Sequence, residues 1–77
     1  MDTRSTRIKE IIAENLNISA EKITNELAVG DIPEWDSLAH VRIIGALELA
    51  LGIELDIEET LELEDVFDLV EAFSKDT

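Results

Sequence analysis

The chain is 77 residues long, 45% apolar and free of cysteine, and it carries 19 acidic against six basic residues for a formal net charge of −13. A chain of this size makes one small domain near the lower limit of what folds without staples, and with no disulfide available its core must come from aliphatic packing. The charge argues against nucleic-acid backbones, whose binding depends on clustered Lys and Arg; one histidine without cysteine excludes the usual structural zinc sets; and no apolar run approaches membrane-spanning length.

In chain order, Met1-Asp2-Thr3-Arg4 leads into a charged helix rather than a signal peptide, so a cytoplasmic protein is the default expectation. The lack of cysteine fits a reducing compartment. The first helix is predicted from about Thr3 to Asn15, with Ile8, Ile11 and Ile12 on its apolar face and Glu10 and Glu14 in water. A long connection follows, in which Ser19 caps a brief helical turn through Ile23 while Ile18, Ile23, Leu27 and Val29 tack the loop onto the core. Gly30 and Pro33 interrupt the chain before a second helix that opens at Ser37. Its apolar residues Val41, Ile44, Leu47 and Leu51 recur at helical spacing until Gly52 offers a stop.

Asp56-Ile57-Glu58-Glu59 reads as a capping box opening a short helix through about Leu61. The last helix is predicted from Glu64 to about Ser74, with Val66, Val70 and Phe73 in one stripe joined by Phe67 and Leu69. Glu64 and Asp65 in its first turn and Lys75 near its end suit the helix dipole. Residues 1–77 thus form a single domain. The predicted fold is all-α, a small four-helix bundle with three main helices, one short helix and a long first loop.

Asp36-Ser37-Leu38 carries the most chemistry. It sets a hydroxyl beside a carboxylate where an amphipathic helix begins, and a phosphodiester on Ser37 would meet free backbone N–H groups and the positive end of the helix dipole. Asp36 is suited to orienting a divalent cation during phosphoryl transfer. Taken alone, an Asp-Ser pair at a helix start is more often simply a cap. No catalytic constellation accompanies it: His40 lies one turn after Ser37, but no third residue is placed to orient it, and it reads as a partly exposed helix residue. The carboxylates do not follow the calcium-loop pattern, so no dedicated metal site is expected.

Glu34-Trp35-Asp36-Ser37-Leu38, the Gly52-Ile53-Glu54-Leu55 stretch and Leu63-Glu64-Asp65-Val66-Phe67-Asp68-Leu69-Val70 together resemble the acyl carrier protein family over nearly the whole chain. The resemblance implies that Ser37 receives 4′-phosphopantetheine from coenzyme A through a dedicated phosphopantetheinyl transferase. It implies that the arm's thiol carries acyl or aminoacyl groups as thioesters, loaded and processed by partner enzymes, and that the chain itself is a non-catalytic, monomeric carrier. It further implies that some of the core residues Ile43, Ile44, Leu47, Phe67, Val70 and Phe73 also line a cleft able to admit an acyl chain. Trp35 reads first as a packing anchor.

The chain departs from the fatty-acid members of that family on the exposed side of the Ser37 helix. Where those members carry acidic residues that dock basic enzymes, this chain has Ala39, Arg42, Gly45 and Leu49, and only Glu48 keeps the sign. Leu38, Arg42, Gly45, Glu48 and Leu49 are the expected partner-binding residues. Gly45 invites either a close approach by a partner or tight packing within the domain. The departure points towards polyketide, nonribosomal peptide or surface-polymer biosynthesis. A housekeeping fatty-acid carrier and a cofactor-free acidic helical adaptor, in which Ser37 is only a cap, are the alternatives.

Overall fold

The computed structural model describes residues 3–74. Four α-helices form one bundle: α1 (Thr3–Leu16), α2 (Ser37–Leu51), α3 (Ile57–Leu61) and α4 (Val66–Ser74), with a 3-10 turn at Ala20–Lys22 in the long connection before α2. This is the expected all-α architecture of three main helices and one short one. Lys75, expected near the end of the last helix, lies outside the described residues.

α1 presents Ile8, Ile11, Ile12 and Leu16 to the interior while Glu10 and Glu14 stay in water. It closes one residue beyond the sequence expectation. Asn17 adopts the left-handed conformation at φ 59°, and the N–H groups of Asn17 and Ile18 donate to the carbonyls of Glu14 and Ala13, which satisfies two acceptors that a helix end leaves open. Gly52 performs the same service for α2 at φ 68°, with the Ile53 N–H donating to the Glu48 carbonyl at 3.2 Å.

The centre of the bundle is closed to solvent. Ile8 and Ile12 of α1, Ile43 and Leu47 of α2, Val66, Leu69 and Phe73 of α4, and Trp35 from the loop are all 0% exposed. Each fully buried aliphatic side chain stabilises the fold by about 1.5–3 kcal/mol relative to exposure. α3 buries no residue at all.

The long connection is held by its own apolar residues and by its backbone. Ser19 accepts from the Glu21 N–H at 3.3 Å to start the 3-10 turn. Ile23 is buried, and Ile18, Leu27 and Val29 pack partly against the core, as their spacing predicts. The same loop then supplies acceptors to the start of α4: Val66 and Phe67 donate to the carbonyls of Leu27 and Asn25, and Val29 donates back to Glu64. Asp65 Oδ1 accepts from the Asp68 N–H at 2.8 Å. Four groups that would otherwise be orphaned at this junction are thereby paired.

These bonds explain why α4 begins at Val66 and not at the expected Glu64. Asp65 acts as a cap, and its neighbour's carbonyl is committed to the loop, so the two acidic residues precede the helix instead of filling its first turn. One expected core assignment is also corrected, and one apolar position of the α2 periodicity falls outside the core. Phe67 is 50% exposed, because Val66, Leu69 and Phe73 set the inward face and Phe67 lies about 100° round the helix from Val66. Val41 faces solvent for the same reason, since Ile43, Ile44 and Leu47 define the buried face of α2.

Candidate functional site

The start of α2 divides its tasks between two neighbouring side chains. Asp36 is the N-cap, with extended backbone at φ −99° and ψ −174°, and its Oδ1 accepts from the Ala39 N–H at 2.8 Å. Its carbonyl takes the first intrahelical bond, from the His40 N–H at 2.9 Å. Ser37 is therefore the first helical residue and is exposed. Its hydroxyl is not needed as a cap, because that role falls to Asp36. The N–H groups of Ser37 and Leu38 come before the first intrahelical donor, His40, and so have no acceptor within the helix, the arrangement that favours an anion.

Beneath this end lies a bridge that sequence reasoning missed. The indole N–H of the buried Trp35 donates to His40 Nδ1 at 3.1 Å, so the ring proton sits on Nε2 and donates to the Leu63 carbonyl at 2.8 Å. His40 is half-buried and ties the loop before α2 to the segment before α4. It is a structural strut and not half of a Ser-His pair. The signal available in sequence was the five-residue separation of a lone Trp from a lone His, which by itself fixes no geometry. Trp35 is 0% exposed and is the packing anchor its residue type predicts. Its carbonyl also accepts from the Gly30 N–H at 2.8 Å, so the turn ahead of Ser37 is set by backbone and ring together.

The outer side of α2 is apolar. Leu38, Val41 and Leu49 are 73%, 69% and 87% exposed, and Ile57 and Leu61 of α3 are 76% and 77% exposed. Between the two helices runs an open groove of about 420 Å³, with Val41, Ile44 and Gly45 on one side and Leu55, Ile57 and Leu61 on the other. Of the expected core residues, Ile44 alone also lines this groove; Ile43, Leu47 and Phe73 are wholly internal, Phe67 is half exposed and Val70 half-buried.

The five expected partner-binding residues separate into two groups. Leu38, Arg42, Gly45 and Leu49 are exposed along one line of α2. Glu48 is half-buried, and its Oε2 accepts from the Leu55 N–H at 2.9 Å, so this carboxylate anchors the loop between α2 and α3. Nothing lies within 4 Å of where a Cβ on Gly45 would stand. Tight packing within the domain therefore does not account for this glycine, although a helical Gly costs about 1 kcal/mol relative to Ala. Val41, Ile57 and Leu61 belong to the same exposed surface, which the sequence reading did not single out.

Among the described residues no helix is long and apolar enough to cross a membrane. No protein-family profile matches the chain. Individual relatives do. The chain is 34% identical over 65 residues to a protein named acyl carrier protein from Thermosynechococcus vestitus, an alignment covering 84% of this chain and 80% of the relative. It is 39% identical over 66 residues to the non-reducing polyketide synthase SAT8 of Stachybotrys chartarum, covering 86% of this chain but 2% of that much longer protein. With Asp36 capping the helix, Ser37 free at its first position and a relative matched across most of both chains, the protein belongs to the acyl carrier protein family.

Proposed function

We propose that the protein is a carrier whose Ser37 hydroxyl holds 4′-phosphopantetheine, attached from coenzyme A by a phosphopantetheinyl transferase. The observation that carries this reading is the division of labour at the start of α2: Asp36 supplies the cap and leaves Ser37 exposed with its hydroxyl available. When attached, the group supplies a flexible arm ending in a thiol, on which acyl or aminoacyl cargo is held as a thioester. The chain's own residues position the attachment point. The N–H groups of Ser37 and Leu38 and the end of the α2 dipole favour the negative charge of a phosphodiester there. Asp36 stands beside it as a carboxylate suited to orienting a divalent cation during transfer.

In this reading the chain is not itself an enzyme. It presents cargo to loading and processing enzymes, and the arm raises the local concentration of cargo at each docked active site. The surface beside Ser37 supports a role in a specialised pathway (polyketide, nonribosomal peptide or surface polymer) over general fatty-acid synthesis, because Arg42 and exposed leucines stand where acidic docking residues are expected.

The test is the intact mass of the purified protein after incubation with coenzyme A, magnesium and a broad-specificity phosphopantetheinyl transferase. One phosphopantetheine increment on the parent and none on Ser37→Ala is expected. No increment on folded parent, while a control carrier is modified, would return the cofactor-free adaptor to first place.

A further inference from the structure

Positions 38, 42, 45 and 49 are separated by four, three and four residues, so Leu38, Arg42, Gly45 and Leu49 lie along one ridge of α2. Val41 flanks this ridge, and across the groove α3 offers Ile57 and Leu61. α3 turns both of its apolar side chains outward and buries neither. A contiguous apolar surface of this kind on a small protein marks an interaction site.

Two further observations say what fits it. Gly45 lines the groove, and nothing stands within 4 Å of where its Cβ would be, so the surface over it is open. The charge on the ridge is also opposite to that of the chain. Glu48 is engaged by the Leu55 N–H, which leaves the exposed Arg42 as the ridge's charged group in a molecule of net charge −13.

We propose that this face docks a partner enzyme that seats an apolar side chain over Gly45 and meets Arg42 with a carboxylate. The partner's contact surface is therefore apolar with an acidic point, and not the basic surface that the chain's net charge would attract. At long range the acidic chain still steers basic molecules towards itself. At contact, however, a basic surface meets Arg42 as a like charge, and the leucines give it nothing to pair with. A second copy of this chain is disfavoured as the occupant, because both molecules would carry −13. The proposal rests on the carrier reading and adds the chemistry of the partner to it.

The experiment uses two phosphopantetheinyl transferases as probes, one with an apolar carrier-docking surface and one with a basic surface. kcat/KM for modification of Ser37 is measured with each on the parent, Arg42→Glu, Gly45→Leu, Gly45→Ala and Leu49→Glu, with thermal melts alongside. The parent is expected to favour the apolar-surfaced enzyme at least tenfold. Gly45→Leu and Leu49→Glu are expected to lower kcat/KM with that enzyme about tenfold, and Arg42→Glu to shift preference towards the basic-surfaced one. Gly45→Ala serves if the leucine variant does not fold: it is expected to raise the melting temperature while lowering kcat/KM.

Equal use of both enzymes, preference for the basic surface, or indifference to all four substitutions would overturn the docking proposal and leave the carrier reading standing. Concentration-dependent dimerisation in sedimentation, abolished by Leu49→Glu, would assign the face to a second copy and also overturn it. Failure of both enzymes to modify the folded parent would remove the carrier reading, and the docking proposal with it.

Discussion

α3 and α4 bring apolar residues to the bundle in the same way and use them oppositely. α4 turns Val66, Leu69 and Phe73 wholly inward, whereas α3 leaves Ile57 and Leu61 more than three-quarters exposed. The difference lies in their neighbours. α4 packs along α1 and α2 and has its first turn satisfied by the backbone of the long loop. α3 has five residues, is fastened by Glu59 reaching back to the Asp56 N–H at 3.4 Å and by the Thr60 hydroxyl donating to the Ile57 carbonyl at 2.7 Å, and meets α2 only across an open groove. One set of apolar residues stabilises the fold and the other stays exposed at the surface.

The sharpest test of that contrast is truncation on each side. Phe73→Ala or Leu47→Ala is expected to cost about 3–5 kcal/mol, a large share of the stability of a domain this small, because each leaves a cavity in a fully buried core. Leu49→Ala and Leu61→Ala are expected to stay within about 0.5 kcal/mol. Urea denaturation followed by helical circular dichroism separates the two classes. A loss of several kcal/mol at Leu61 would mean that α3 is part of the folding core after all.

Between these extremes stands the bridge through His40. His40→Ala leaves the buried Trp35 N–H without its acceptor and the Leu63 carbonyl without its donor, and a cost of about 1–3 kcal/mol is expected. Blue-shifted tryptophan emission that persists unchanged in this variant, with no loss of stability, would show that the strut is dispensable. The smallest effect distinguishes the two residues at the start of α2. Asp36→Ala is expected to cost about 1 kcal/mol as a lost cap, whereas Ser37→Ala should lie within about 0.5 kcal/mol of the parent. Equal losses at the two positions would mean that the hydroxyl shares the capping role.

Much of this was legible along the chain because it rests on near-neighbour physics. Helical periodicity located α1, α2 and α4, and the capping box at Asp56 located α3. Gly52 ended α2 by local backbone conformation, and Asp36-Ser37 marked a helix start. The expected loop residues Ile18, Ile23, Leu27 and Val29 do face the core. The assignments that moved depended on which side of a helix meets the rest of the protein. Phe67 and Val41 are apolar residues within helices of the right period, but periodicity defines relative angles and not the direction of the core. Glu48 counted as a docking carboxylate until its bond to Leu55, seven residues away and past the helix end, drew it inward.

By itself the sequence determined the helical class, the stop of α2 at Gly52 and the chemical character of the Asp36-Ser37 pair, since each follows from residue type and separations of a few positions. Tertiary structure alone decided that His40, bonded to Trp35, reaches the Leu63 carbonyl 23 residues beyond itself, and that the apolar side chains of α3 look outward. Those outcomes depend on how segments distant in sequence share their hydrogen bonds and buried surface, and local pattern carries no record of that division.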